Sequence, residues 1–251
     1  MNERKFDGKG RIYAQFRPGY PKAFMDWLCS TIGIVKGSVL SDIGSGTGIL
    51  TRQLLEYGNI VYAVEPNDDM RKIAEDDLRA FPNFVSVKAT AENTTLPDQC
   101  VDFITVAQAF HWFDRERFRL ECRRILKQDG KVVLVWNSRA PEDKLVMEND
   151  RVNRKWCPGF KGFSGGMGEE TADRVLLDFF TGDYHKKVFE NFLHFNKKDF
   201  IGRNLSASYA PKEDDENYLN YVRELEGLFD RYSQNEILTM PNWTRCYFGK
   251  V

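Results

Sequence analysis

The stretch that most constrains the fold is Val39-Leu40-Ser41-Asp42-Ile43-Gly44-Ser45-Gly46-Thr47-Gly48. Apolar residues run into an acid, three glycines follow on alternate positions, and Ile49 to Tyr57 has helical character before Gly58. That order predicts a strand, a tight turn and a helix. It is the unit by which an open α/β sheet turns backbone N–H groups toward a ligand. The spacing is G-x-G-x-G, and Ile49 stands where the dinucleotide pattern G-x-G-x-x-G has its last glycine, which argues against a nicotinamide cofactor. One unit further on, Ile60 to Val64 is a β-branched and apolar run that ends in Glu65. An acid about twenty residues past the glycines is placed to accept hydrogen bonds from ribose hydroxyls. Taken alone, the glycines would also suit a plain strand–helix connection.

The chain around this unit keeps the same rhythm. Strands are predicted at Ser38 to Asp42, Ile60 to Val64, Phe84 to Ala89, Val101 to Ala107 and Lys131 to Trp136. Helices are predicted over Gly48 to Tyr57, from the N-cap Asn67 to about Ala80, and over Arg115 to Leu126. Strands that alternate with helices in this way predict a doubly wound parallel sheet, and the nearly continuous apolar character of Val101 to Ala107 suits a central strand. Asp7 to Gly33 reads as an N-terminal helical region. Past Trp136 the rhythm breaks. A charged helix is predicted over Ala140 to Trp156, a glycine-rich loop over Cys157 to Gly168, and a short helix over Thr171 to Phe180. Val188 to Phe195 alternates as a strand does, and Lys197 to Ser206 and Glu216 to Gln234 read as helices. Ile237 to Met240 and Trp243 to Val251, joined by Pro241-Asn242, predict a closing hairpin. With no repeat and no low-complexity linker, one domain over residues 1–251 is expected. Its parts are an N-terminal lid and helical region (1–37), a ligand-binding core (38–137), a helical insertion (138–186), and C-terminal strands and helices (187–251).

Composition narrows the function classes. The net charge of -1 gives no basic excess for nucleic acid, and no apolar run is long enough to cross a bilayer. The polar start Met1-Asn2-Glu3-Arg4-Lys5 is unlike a secretory signal. The five cysteines are scattered, without a CxxC pair, which suits reduced thiols and a cytoplasmic location. His111, His185 and His194 lack metal-ligand spacing, so no metal is expected, and no G-x-S-x-G elbow marks a serine hydrolase.

The glycine turn with its downstream acid resembles the class I S-adenosylmethionine-dependent methyltransferases. Three further segments extend the likeness. Tyr13, Arg17, Pro18, Tyr20 and Pro21 match a Y-x-x-x-R-P-x-Y-P lead-in that folds over the cofactor in many small-molecule methyltransferases. The run Ala107-Gln108-Ala109-Phe110-His111-Trp112-Phe113 is similar to the subgroup that includes trans-aconitate methyltransferase-like proteins, as is Arg203 to Pro211. The resemblance implies a Rossmann-like, mostly parallel seven-stranded sheet with an antiparallel C-terminal hairpin strand and a helical lid. It also implies S-adenosylmethionine as cofactor and a small-molecule acceptor.

On that reading Gly44, Ser45, Gly46 and Gly48 let the methionine part of the cofactor lie against backbone, and Asp42 meets its ammonium. Glu65 takes the ribose, while Pro66 and Met70 cover one adenine face. Thr90-Ala91-Glu92 reads the adenine edge, with Thr90 where an aspartate is usual, and Ala107 and Gln108 close the site at the end of the fourth strand. Tyr13, Arg17, His111 and Arg203 would border the acceptor. The arginines suit a carboxylate and His111 suits proton removal from a hydroxyl or an acidic carbon. Plain aromatic packing and a helix end remain the alternatives for these segments. A binding protein without catalysis and a nicotinamide oxidoreductase remain the alternatives for the whole.

Overall fold

A computed structural model describes residues 17–163 and 169–251. The sheet is built around β1 (Val39–Ile43), which pairs in parallel with β2 (Ile60–Val64) on one side and with β4 (Val101–Ala107) on the other. β3 (Phe84–Val87) extends it beyond β2, and β5 (Leu126–Arg139) lies beyond β4. β9 (Asn242–Gly249) runs antiparallel to β5 and carries β6 (His185–Glu190) at the far edge. The resulting order is β3-β2-β1-β4-β5-β9-β6. The expected mostly parallel, seven-stranded, doubly wound sheet is therefore present. The chain reverses direction across the sheet between β1 and β4, and such a switch opens a crevice at the strands' carboxyl ends.

Helices cover both faces. One apolar layer joins Ile43, Val64, Ile104 and Val106 to Phe118, Cys122 and Ile125 of α4 (Arg115–Ile125) and to Leu176 and Phe179 of α6 (Glu169–Phe179). The other joins Leu40, Val61 and Val133 to Phe24 of α1 (Lys22–Trp27), to Leu50 and Leu54 of α2 (Ile49–Glu56), and to Ala74 and Leu78 of α3 (Asp68–Leu78). α1 passes into one wide π-helical turn, Leu28–Ile32, which ends at the left-handed Gly33. A third apolar cluster forms a cap from α5 (Lys144–Trp156), α7 (Lys197–Leu205), α8 (Tyr218–Tyr232) and the small antiparallel pair of β7 (Leu193–Phe195) with β8 (Leu238–Met240). Side-chain caps start several of these helices: Asn67, Asp114, Asp143 and Asn196 each accept from the backbone N–H three residues on.

Three local expectations are corrected. The run Val188 to Phe195 is not one strand. It divides into β6 of the main sheet and β7 of the cap, and Asn191 between them is pinned by hydrogen bonds to Gly19, Asn137 and Thr244. The closing hairpin does not form either, because β8 pairs with β7 while β9 pairs with β5 and β6. The C-terminal antiparallel strand is thus present with other neighbours. Finally, the fifth strand, expected at Lys131 to Trp136 after a helix reaching Leu126, already begins at Leu126. Lys127 to Gly130 form a bulge inside β5, opposite Asp102, between the paired positions Val101–Leu126 and Phe103–Lys131.

Candidate cofactor and acceptor site

The three glycines of the turn after β1 are all left-handed, with φ of 69° at Gly44, 57° at Gly46 and 80° at Gly48. Their surroundings separate their roles. A Cβ on Gly44 would lie 2.6 Å from Ala109 Cβ, and one on Gly48 would lie 2.7 Å from Leu78 Cδ1. Those two glycines let the turn pack against the loop after β4 and against α3. A Cβ on Gly46 would meet only Met70 Cε, at 3.4 Å. That position faces open space, as a turn that receives a ligand should.

Glu65 at the end of β2 closes the cradle. The side chain is buried at 7 % exposure; Oε2 accepts from the Gly46 N–H at 2.9 Å and Oε1 from the Asn67 N–H at 2.8 Å. Burial raises its carboxyl above the ordinary glutamate range, and the two N–H donors work against that rise. A carboxylate offers about four lone-pair sites, so both bonds leave capacity for a ribose hydroxyl. Met70 is buried against the same turn, and Pro66 is half-buried beside it. The side-chain hydroxyl oxygens of Ser45 and Thr47 are buried in the turn with no hydrogen-bond partner among the described residues. Polar atoms of that kind, a Cβ-sized opening at Gly46 and an acid beneath fit a polar, ribose-bearing cofactor.

Asp42 sits beneath the turn. Its oxygens accept from Thr51 Oγ1 at 2.6 Å and Thr105 Oγ1 at 2.9 Å, and only 1 % of the residue is exposed. Burial pushes its carboxyl up to about 6, against the pull of the two hydroxyls. It ties the helix after the turn to the central strand, and its negative charge favours an ammonium group above. Neither threonine had a local signal in the sequence, since Thr105 is brought in from a strand 63 residues away.

The segment after β3 is held from behind. Ala91 is buried, Thr90 is half-buried and bridges to Asn93, and Glu92 Oε1 accepts from the Asp114 N–H at 2.9 Å. Glu121, on α4, accepts from the Thr94 N–H at 2.7 Å and pairs with Arg124 at 2.7 Å. Arg124 in turn donates to the Leu96 carbonyl and to Asp98, each at 2.7 Å. This brace was not legible in the sequence, where Glu121 reads as one acid on a charged helix. At the end of β4, Ala107 is half-buried and Gln108 takes the left-handed conformation at φ 61°. Its Nε2 donates to the Asn137 carbonyl at 3.3 Å. A non-glycine residue held there is strained, and such strain gathers at functional sites.

Of the four acceptor-side candidates, Tyr13 lies outside the described residues. Arg17 Nη2 donates to the Ser206 carbonyl at 3.4 Å, which brings Arg17 to the turn just past Arg203. Arg203 is buried at 8 % exposure. His111 stands on the 3-10 turn Phe110–Trp112 after β4, exposed, with its ring centroid 4.5 Å from that of Trp112. The structure therefore brings Arg17 and the Arg203 segment together and puts His111 on a different strand end. Arg17 borders a cavity of about 380 Å³ with Phe192, His194 and Asp199.

Comparison with known proteins converges on one family. A methyltransferase domain matches residues 41–134, the span from β1 into β5. An uncharacterized methyltransferase of Mycobacterium tuberculosis is 34% identical over 240 residues, covering 93% of this chain and 90% of the relative. Among solved structures, a phosphoethanolamine N-methyltransferase of Haemonchus contortus, in complex with phosphomonomethylethanolamine and S-adenosylhomocysteine, aligns with a TM-score of 0.59 at 16% identity. The alignment covers 99% of this chain and 59% of that one. A SAM-dependent methyltransferase of Aquifex aeolicus aligns with a TM-score of 0.52 at 20% identity, over 72% of this chain and 92% of the other. At such identities the two structures speak to the fold.

Proposed function

The chain belongs to the class I S-adenosylmethionine-dependent methyltransferases, and from that premise we propose that it methylates a small molecule, a carboxylic acid foremost. The observation that carries the cofactor side is the coupling of Gly46 to Glu65. One carboxylate braces the open point of the turn and stands where a ribose would lie. When bound, S-adenosylmethionine supplies a methyl group already activated on a positive sulfur, so the protein's work is alignment and exclusion of water. Gly44 and Gly48 hold the turn against its neighbours, Asp42 supplies negative charge below it, and the Glu121–Arg124 brace fixes the segment that reads the adenine.

On the acceptor side, Arg17 and Arg203 orient an acid, since a guanidinium fork matches a carboxylate. A carboxylate acceptor needs no base. His111 is kept for an acceptor whose proton must leave. The likeness of Ala107 to Phe113 and of Arg203 to Pro211 to the trans-aconitate methyltransferase-like subgroup supports the acid. A net charge of -1 without basic excess suits a free metabolite better than nucleic acid or a membrane surface. Scattered free cysteines suit a cytoplasmic site of action. Among the described residues no helix is long and apolar enough to cross a membrane.

The test is turnover. S-adenosylmethionine should be converted to S-adenosylhomocysteine in the presence of one or more members of a metabolite panel weighted toward carboxylic acids. Products should appear as methyl esters. Turnover confined to amines would overturn the carboxylate assignment.

A further inference from the structure

The carboxyl end of β5 carries a positive charge, Arg139. Arg139 lies directly opposite Asn242 on β9. Opposite residues of an antiparallel pair project to the same face, with Cβ atoms about 5 Å apart. Arg139 as a whole is half-buried, but its Nε and Asn242 Nδ2 are both buried, and neither has a hydrogen-bond acceptor among the described residues. Asn242 itself is 3 % exposed. The guanidinium carbon of Arg139 sits 4.0 Å above the ring centroid of Phe163, which fixes the plane of the fork. Charged and polar groups near it among the described residues include Arg17, Tyr209 and Tyr221. Among the described residues, no carboxylate compensates it.

This departs from ordinary interiors. More than about 90% of buried polar groups find a partner, and a buried charge is nearly always paired. Here a cationic donor and a neutral donor stand side by side on one face, against a second arginine. Two such donors match the two oxygens of a carboxylate, and arginine is the side chain shaped for that match.

The place is right for an acceptor. Two residues before Arg139, the Asn137 carbonyl accepts from Gln108 at the end of β4. β4 is the strand beside β1, which ends in the glycine turn. Tyr209 and Tyr221 bring the cap to the same strand end. We propose that Arg139 and Asn242 together hold a carboxylate of the methyl acceptor and so set specificity for an anionic substrate. The proposal rests on the methyl-transfer reading and adds to it a residue pair beyond Arg17 and Arg203.

The test uses the full chain saturated with S-adenosylhomocysteine, melted with succinate, glutarate or benzoate and, in parallel, with the corresponding uncharged amides. In the wild type at least one acid should raise the melting temperature, and its amide should not. Arg139→Met should abolish that shift while leaving S-adenosylhomocysteine affinity within twofold. Without added acid it should melt no lower than the wild type, because a half-buried charge with no carboxylate beside it among the described residues has been removed. Arg139→Lys, which keeps the charge but loses the fork, should reduce the shift, as should Asn242→Ser; these variants carry the test if the methionine variant does not fold. An equal shift in the wild type and the Arg139 variants would overturn the proposal. So would an acid shift matched by its amide, or no shift with any of the three acids. Failure of the wild type to bind S-adenosylhomocysteine would instead overturn the methyl-transfer reading, and the acid shifts can be read without that ligand.

Discussion

Gly46→Val should abolish S-adenosylhomocysteine binding in a chain that still folds. The expectation comes from the contrast among the three glycines. A Cβ at Gly44 or Gly48 would drive into Ala109 or Leu78, so substitution there damages packing. At Gly46 the added atom meets only the flexible end of Met70. The interior therefore tolerates the change better, and the cost falls on the opening itself. A valine at φ 57° also costs about 1–2 kcal/mol or more in backbone strain. Two methyl groups would occupy the space a ligand needs, and the turn would shift away from Glu65. Affinity should fall at least about a hundredfold, or about 2.7 kcal/mol. Calorimetry measures the loss, and a cooperative melt checks the fold. Wild-type affinity in a folded variant would place the ligand elsewhere.

Glu65→Ala should weaken S-adenosylhomocysteine by more than tenfold. Each ribose bond to a carboxylate is worth about 1.5–3 kcal/mol. The same change also leaves the N–H groups of Gly46 and Asn67 without their acceptor. Glu65→Gln separates the two effects, because the amide oxygen can keep one backbone bond while the charge is lost. It should fall between wild type and alanine. An unchanged affinity in the alanine variant would remove Glu65 from the site.

The central part of the fold was legible because its signals are local. The turn after β1 is written in consecutive residues, Glu65 follows at the end of the next strand, and Asn67 announces α3 through its own cap. Beyond β5 the signals become tertiary. Nothing in the alternation of Val188 to Phe195 shows that Asn191 is held by Gly19, Asn137 and Thr244, which sends β7 out of the main sheet. Met240 and Asn242 stand two apart, yet one serves the cap and the other the main sheet. The site divides in the same way. Glu65 could be placed by its distance from the glycines, whereas Thr51 and Thr105 under Asp42, and Glu121 behind Thr94, depend on strand and helix packing. Arg139 had no sequence signal at all. Its distinction is the lack of a carboxylate around it among the described residues, which only the assembled end of β5 reveals.

The most direct measurement is a calorimetric titration of the wild-type chain with S-adenosylhomocysteine and, separately, with NAD. The account predicts saturable binding of S-adenosylhomocysteine and no heat of binding with NAD, since the turn enters its helix at Gly48 with Ile49 in place of a further glycine. Saturable NAD binding with none for S-adenosylhomocysteine would contradict it.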